Sequence, residues 1–431
     1  MEGPLLGLAG FGAVLALIAL RVPVGIAMGS VGALGYGLTY GWSSLAFVLG
    51  RSPFDAVFPV SLSVVPLFVM MGVFAGRTGL SQSLYNLVAA FIGHLRGGLA
   101  LATIGASALF GAVCGSSIAT AATIGRIALP EMRRHGYADR LAAASVAAGG
   151  TLGVMIPPSI MFVIYGLMTE NPIGKLFVAG ILPGLLGVGL YMAAVRWLIW
   201  RRPAIGPAAE RHSWGERLRG LRQVWQVVVL FGVVLGGMYL GWFSPTEAAA
   251  VGAFGALVLA ALGGQLSREL LAKGLLETAG TTAMIFMILI GASVFNFFLD
   301  ATGLTHSMID YVRHLGWGRF EVLAALCAFY ILLGCLMDSL SIVLLTIGAV
   351  YPMVRSFGFD PIWFGVLLVT LSEIGMITPP VGMNLFVLRG VAGIRLETIA
   401  RGILPFIAAD VARIALIIAF PLLATWLPGR M

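Results

Sequence analysis

The chain has 431 residues, of which 59% are hydrophobic and only 10% charged, and its mean hydropathy is +1.01. A soluble domain carries roughly a quarter of its residues as charges, so this composition excludes one of any size and places the chain in a bilayer. The net charge of +8 comes from 26 Lys and Arg against 18 Asp and Glu, but the basic residues sit mostly between apolar runs, where they set orientation and do not speak for nucleic acid.

Residues 4–20 and 24–40 are apolar runs pinched by Arg21 and Pro23, which predicts two spans joined by a tight turn. A third predicted span runs from about Phe54 to Gly76 and stops at Arg77. Ser81 to His94 is shorter and amphipathic, with Tyr85, Leu87, Phe91 and Ile92 among polar neighbours, and reads as a helix in the interface. The next apolar stretch, 97–132, lies between two basic flanks, His94 to Arg96 and Arg133 to His135. Its ~36 residues are too few for two spans and too many for one, and its like flanks put both ends on one side. A re-entrant helical hairpin with its tip at Gly115-Ser116-Ser117 satisfies both conditions. Non-helical backbone at that depth must be buried in protein or line a watery cavity.

Residues 140–168 form a span interrupted by Gly149, Gly150, Gly153 and Pro157-Pro158, where paired prolines break a helix near mid-membrane. A span at 176–200 closes the first unit, 1–200, and the basic linker 201–223 is expected in the cytoplasm. The second unit, 224–431, repeats the order: spans near 224–243, 246–264 and 277–299, with an amphipathic Leu266–Leu275 segment after the second. A hairpin at 320–354, a broken span at 361–388 with Pro379-Pro380 and a last span at 403–427 complete it. With the basic connections inside, the first hairpin opens to the cytoplasm and the second to the opposite face, and both termini are predicted periplasmic. The expected fold is an all-α polytopic membrane protein, an inverted repeat of five transmembrane helices plus one re-entrant hairpin in each unit.

The duplication is also visible residue by residue. Gly111, Ser116, Thr123, Ile124 and Gly125 reappear 223 residues later as Gly334, Ser339, Thr346, Ile347 and Gly348. Gly153 and Pro157-Pro158 reappear 222 later as Gly375 and Pro379-Pro380, so one residue is read as lost between the paired motifs. A helix broken in mid-membrane leaves orphan carbonyls on one half and orphan amides on the other. Carbonyls with Ser and Thr hydroxyls suit Na⁺, and amides at a half-helix N-terminus suit an anionic group. Against this stands the plain alternative that Gly, Ala and Ser in membrane helices serve close packing, and Thr123 and Thr346, away from the tips, fit packing or back-bonding better.

Ionisable residues at membrane depth are functional candidates by default. Asp338, one residue before the second tip serine, is a candidate for contact with substrate or cation, with a structural acceptor role as the alternative. Glu373, two residues before Gly375, is a weaker candidate. Asn384 could donate to a carboxylate or cap the second half-helix. Asp300 and Asp410 lie near span ends and read as solvated, and Glu247 reads as a helix cap. All five histidines fall in connections, and no metalloprotease, Walker or nucleophile-elbow motif is present, so the chain reads as no enzyme and needs no cofactor beyond a coupling ion. The three cysteines, Cys114, Cys327 and Cys335, lack the spacing of a disulfide framework or a zinc site.

The Gly-Ser-Ser-Ile-Ala-Thr hairpin, the Gly-x-x-x-Pro-Pro break and the duplicated plan resemble the large membrane subunit of tripartite ATP-independent periplasmic (TRAP) transporters, the DctM-like proteins. The resemblance covers essentially the whole chain and is most characteristic from Pro66 through Pro158. It implies an elevator-type secondary transporter of the bacterial inner membrane, driven by a Na⁺ gradient, that imports an organic acid such as a dicarboxylate or sialic acid. It implies two partners, a small four-helix membrane subunit, expected as a separate chain, and a periplasmic binding protein. It also implies Na⁺ sites where tips meet breaks: Ser116 and Ser117 with Gly153, Ile156 and Pro157, and Ser339 and Ser341 with Gly375, Thr378 and Pro379. Substrate would lie near Asp338, Asn384, Ser116 and Ser339. The copies differ, since Asp338 stands for Gly115, Leu340 for Ser117 and Thr378 for Ile156 in that register. The plan is also similar to the divalent-anion sodium symporters, which need no binding protein, and a passive channel is the reading from another class.

Overall fold

The computed structural model describes residues 2–431, and these form helices and connections with no strand among the described residues. By length and apolarity six helices can cross a membrane, or eight if each sharply bent pair counts as one span. The first unit runs Glu2–Ala19, Val24–Tyr40, Trp42–Val57, a 3-10 turn and Val64–Arg77, then Leu80–Ile92. The hairpin follows as Gly98–Cys114 and Ser117–Arg134, then the broken span Asp139–Met155 and Ile160–Thr169, then Ile173–Arg201. After the linker with its short helix Trp214–Gln223, the same order returns: Trp225–Tyr239, Pro245–Leu262, Arg268–Thr302 and Leu304–His314. The second hairpin is Arg319–Gly334 and Ser339–Ser356, the second broken span Pro361–Ile377 and Met383–Ala392, and Leu396–Ala419 matches the long helix that closed the first unit.

Contacts at the helix ends show that the two units are inverted. The first broken span starts beside the base of the first hairpin, where Arg133 Nε donates to Asp139 at 2.8 Å. It ends beside the base of the second, where Asn171 Nδ2 donates to Tyr351 Oη at 3.0 Å and Tyr165 Oη donates to the Pro361 carbonyl at 2.7 Å. The second broken span starts at that same Pro361 and ends at Ala392, whose carbonyl accepts from Arg133 Nη2 at 3.3 Å. The two broken spans therefore run antiparallel, and the hairpins open to opposite faces. The linker lies on the first hairpin's face: the amides of Gly97 and Ala138 donate to the carbonyls of Gly206 and Ile205 at 2.8 and 3.0 Å. Arg140, Arg201, Arg202 and Arg401 line one cleft on this face.

Three elements differ from the expectation. The predicted span 54–76 is two pieces, because Pro59 cannot donate and the chain re-enters through a 3-10 turn at Val60–Ser63, after a helix at Trp42–Val57 that carries Pro53. In the second unit, which has no proline there, the matching pieces are one continuous 35-residue helix, Arg268–Thr302. The predicted interfacial segment Leu266–Leu275 is thus largely the start of that helix. The partner of the interfacial helix Leu80–Ile92 is Leu304–His314, whose apolar face (Leu304, Ile309) packs on the core and whose other face carries charge.

Candidate transport site

Each hairpin is pinned to its own broken span by a glycine crossing. A Cβ on Gly111 would land on the Cα of Gly153, and a Cβ on Gly375 would land on the Cα of Gly334. Only glycine allows backbones so near, which is why these positions read as small-residue motifs. The sharp first tip then needs Gly115 in the left-handed conformation, at φ +66°. Both spans break where expected, at Ile156–Ser159 and Thr378–Gly382, and neither following half-helix has a side-chain N-cap. The amides of both half-helices are left free to meet an anion.

The two tips are finished by the same device with different chemistry. Ser116 caps the helix Ser117–Arg134, its Oγ accepting from the Ala119 amide at 3.3 Å. Asp338 caps Ser339–Ser356, accepting from the Ser341 amide at 3.1 Å and from the Ser341 hydroxyl. The caps pair Ser116 with Asp338 and Ser117 with Ser339, an offset of 222 that Pro130 and Pro352, and later Pro183 and Pro405, maintain. The match of Ser116 to Ser339 at 223 is therefore one residue out of register. The residue is lost inside the tip: five residues separate Gly111 from its second arm and four separate Gly334 from its own.

The predicted hydroxyls are mostly in use locally. Ser341 is held by Asp338, and the Thr378 hydroxyl donates to its own helix at the Ile374 carbonyl, 2.6 Å away. Thr346 donates to the Ile342 carbonyl at 2.8 Å, as back-bonding predicts. Ile156 turns its side chain toward Gly184, so only its backbone can face the break. Gly153, Pro157 and Gly375 are buried at the two breaks, and Pro379 is partly so. Asn384 is wholly buried and reaches across to the other unit, its Nδ2 donating to the Ala147 carbonyl at 3.3 Å, so it does not cap its own helix. A Cβ on Gly150 would press against both Asn384 Nδ2 and the Ser117 carbonyl, which brings the first tip, the first broken span and the second half-helix to one point.

Glu373 stands at the same place. It is wholly buried, takes the Ser339 hydroxyl on Oε1 at 2.7 Å and has Ser117 beside it, so both tips converge on one carboxylate. Asp410, expected to be solvated, is also wholly buried. Arg413, one turn on, brings Nη2 within 2.7 Å of Asp410 Oδ1, and the Tyr191 hydroxyl donates to Asp410 while meeting Thr151 at 3.1 Å. Gly187 leaves the room that the guanidinium fills. This ion pair was missed in the sequence although Asp and Arg three apart in an apolar run are a readable signal.

Comparison with known proteins places this geometry. The family model described as "Tripartite ATP-independent periplasmic transporter, DctM component" matches residues 11–423. The isethionate TRAP transporter permease protein DctMQ of Oleidesulfovibrio alaskensis is 34% identical over 423 residues, 97% of this chain, and the chain spans 65% of that relative's length. The C4-dicarboxylate TRAP transporter large permease protein DctM of Pseudomonas aeruginosa is 36% identical over 370 residues, 86% of this chain and 84% of its own. The sialic acid large permease SiaM of Vibrio cholerae is 30% identical over 424 residues, 94% and 98% of the two chains. Among solved structures, the YdaH transporter of Alcanivorax borkumensis superposes with a TM-score of 0.62 at 17% identity, over 99% of this chain and 98% of that one, a likeness of fold alone. Matched by the family model almost end to end and about a third identical to large permeases, the chain belongs to the DctM family of TRAP transporter large permeases.

Proposed function

We propose that this permease imports an organic anion across the inner membrane of a bacterium, driven by a Na⁺ gradient, with a small membrane subunit and a periplasmic binding protein as partners. The observation that carries this reading is the convergence of two inverted hairpin tips and two antiparallel broken spans at one buried point. Half-helix amides there suit the anion, and carbonyls with tip hydroxyls suit Na⁺. One cation site lies at Ser116, Ser117, Gly153, Ile156 and Pro157, and the other at Ser339, Ser341, Gly375, Thr378 and Pro379. Substrate lies between them, near Asn384, Ser116, Ser339 and Asp338. The basic face is cytoplasmic, which puts both termini in the periplasm, with 1–200 and 224–431 as the repeats and 201–223 as the cytoplasmic linker. Movement of the two hairpins and broken spans as one body past the remaining helices gives elevator-type alternating access.

The test is uptake in proteoliposomes holding this chain, a small subunit and a cognate binding protein. Radiolabelled isethionate, a C4-dicarboxylate, sialic acid and ectoine, the compounds named for its relatives, are supplied under an inward NaCl or KCl gradient. Uptake of one compound that needs both NaCl and the binding protein supports the reading. Uptake that is indifferent to Na⁺, or undiminished without a binding protein, overturns it.

A further inference from the structure

Four ionic side chains are buried among the described residues: Arg217, Glu373, Asp410 and Arg413. Arg217 belongs to the linker helix and donates to the Ala90 carbonyl at 3.1 Å, outside the central region. Asp410 and Arg413 neutralise each other. Glu373 therefore remains as the buried ionisable side chain of the central region with no ion-pair partner, at the place where the tips of both repeats meet. A hydroxyl donor on Oε1 does not balance a full charge in a low-dielectric interior, and an unpaired buried carboxylate is strongly destabilising. The surrounding atoms are of the complementary kind. Glu373 Oε2 and Asn384 Oδ1 are both oxygen acceptors, both buried and both without a hydrogen-bond partner among the described residues. The Ser117 hydroxyl stands beside Glu373, and a Cβ on Gly150 would meet both the Ser117 carbonyl and Asn384 Nδ2, the nitrogen of the same amide whose Oδ1 has no partner.

Building on the Na⁺-coupled reading above, we propose that Glu373 supplies the negative charge that holds a coupling Na⁺ at the junction of the two hairpins, with Ser117 and Asn384 as neutral oxygen neighbours. The ion is then bound by both repeats at once. Its arrival removes the unpaired charge and draws the two tips together, and its departure loosens them. Ligands of this kind, one carboxylate with hydroxyl and amide oxygens, match a hard cation. Arg413 is paired with Asp410 and makes no ion pair with Glu373.

The experiment is thermal unfolding of the purified permease titrated with NaCl against choline chloride at constant ionic strength, for wild type, Glu373→Gln, Glu373→Asp and Asn384→Ala. In wild type a Na⁺-specific rise in the unfolding midpoint is expected. Glu373→Gln should unfold higher than wild type in choline, because no charge is left unpaired, and its half-saturating Na⁺ should rise by roughly 100-fold or more, the scale of breaking a buried charge pair. Glu373→Asp should keep the Na⁺ response at weaker affinity. Should Glu373→Gln not fold, Asn384→Ala carries the test, with a severalfold weaker Na⁺ response expected. A Na⁺ response unchanged in Glu373→Gln, or in Asn384→Ala where that variant stands in, overturns the assignment and leaves Na⁺ coupling intact. Absence of any Na⁺-specific shift in wild type overturns the coupling reading as well.

Discussion

The two repeats share a skeleton and differ in charge. At the offset set by the caps and helix prolines, Thr151 of the first unit stands where Glu373 stands in the second, Tyr191 where Arg413 stands, and Ser116 where Asp338 stands. In the first unit the pair is neutral, with the Thr151 and Tyr191 hydroxyls 3.1 Å apart and Tyr191 donating onward to Asp410 of the second unit. In the second unit the corresponding Glu373 and Arg413 are not partners: Arg413 is matched to Asp410, and Glu373 turns to the hairpin tips. Duplication thus supplies two equal frames for breaking and pinning a helix, while the polar work at the centre is given to one of them. A neutral hydroxyl pair gains little and risks little; a buried ion stabilises or destabilises according to what it meets.

The largest expected effect tests that asymmetry directly. Arg413→Met leaves Asp410 buried with no countercharge and should cost about 3–5 kcal/mol, whereas Tyr191→Phe at the equivalent place removes one hydrogen bond to the same carboxylate and should cost about 1.5–3 kcal/mol. Chemical denaturation of the detergent-solubilised variants measures both, and equal losses would dissolve the distinction between the repeats. The next effect tests what they share. Gly153→Ala and Gly375→Ala each push a methyl into facing backbone and should each cost about 1–3 kcal/mol. If one is tolerated and the other is not, the crossings are not equivalent. The smallest concerns the caps: Ser116→Ala and Asp338→Ala should each lose about 1 kcal/mol of stability, and Asp338→Ser should recover most of it. Failure of Asp338→Ser to recover stability would show that the carboxylate serves something besides its helix.

Much of the skeleton was legible in the residues. Hairpin arms, breaks and inversion followed from apolar run lengths, paired prolines and the side of the arginines, all local or additive signals. The helix Trp42–Val57 was not, because Pro53 and Arg51 disguise it as a connection, and its counterpart is hidden inside Arg268–Thr302. The tip register misled because Thr123-Ile-Gly and Thr346-Ile-Gly match by letter while the caps and Pro130 with Pro352 match by position. Letters are compared one at a time, whereas a cap is recognised only when its helix start is known. Asp410 looked solvated because the predicted span 403–427 put it near an end, whereas the helix Leu396–Ala419 holds it well inside, and no one-dimensional signal says that Gly187 of another helix opens a space for Arg413.

By itself the sequence determined that the chain is dissolved in a bilayer, that it folds as two inverted copies and where each copy breaks. Those are consequences of hydropathy, proline and charge acting along the chain, with the bilayer as a fixed external reference. Only the tertiary structure decided which polar groups use each other up and which stay free. Ser341 was committed to Asp338, Arg413 to Asp410 and Asn384 to the opposite repeat, leaving Glu373 between two tips. The reason is that a buried charge is settled by whatever reaches it across space: the Asp338 and Asp410 pairs are local, but Glu373 meets Ser339 and Ser117 from two hairpins far apart in the chain.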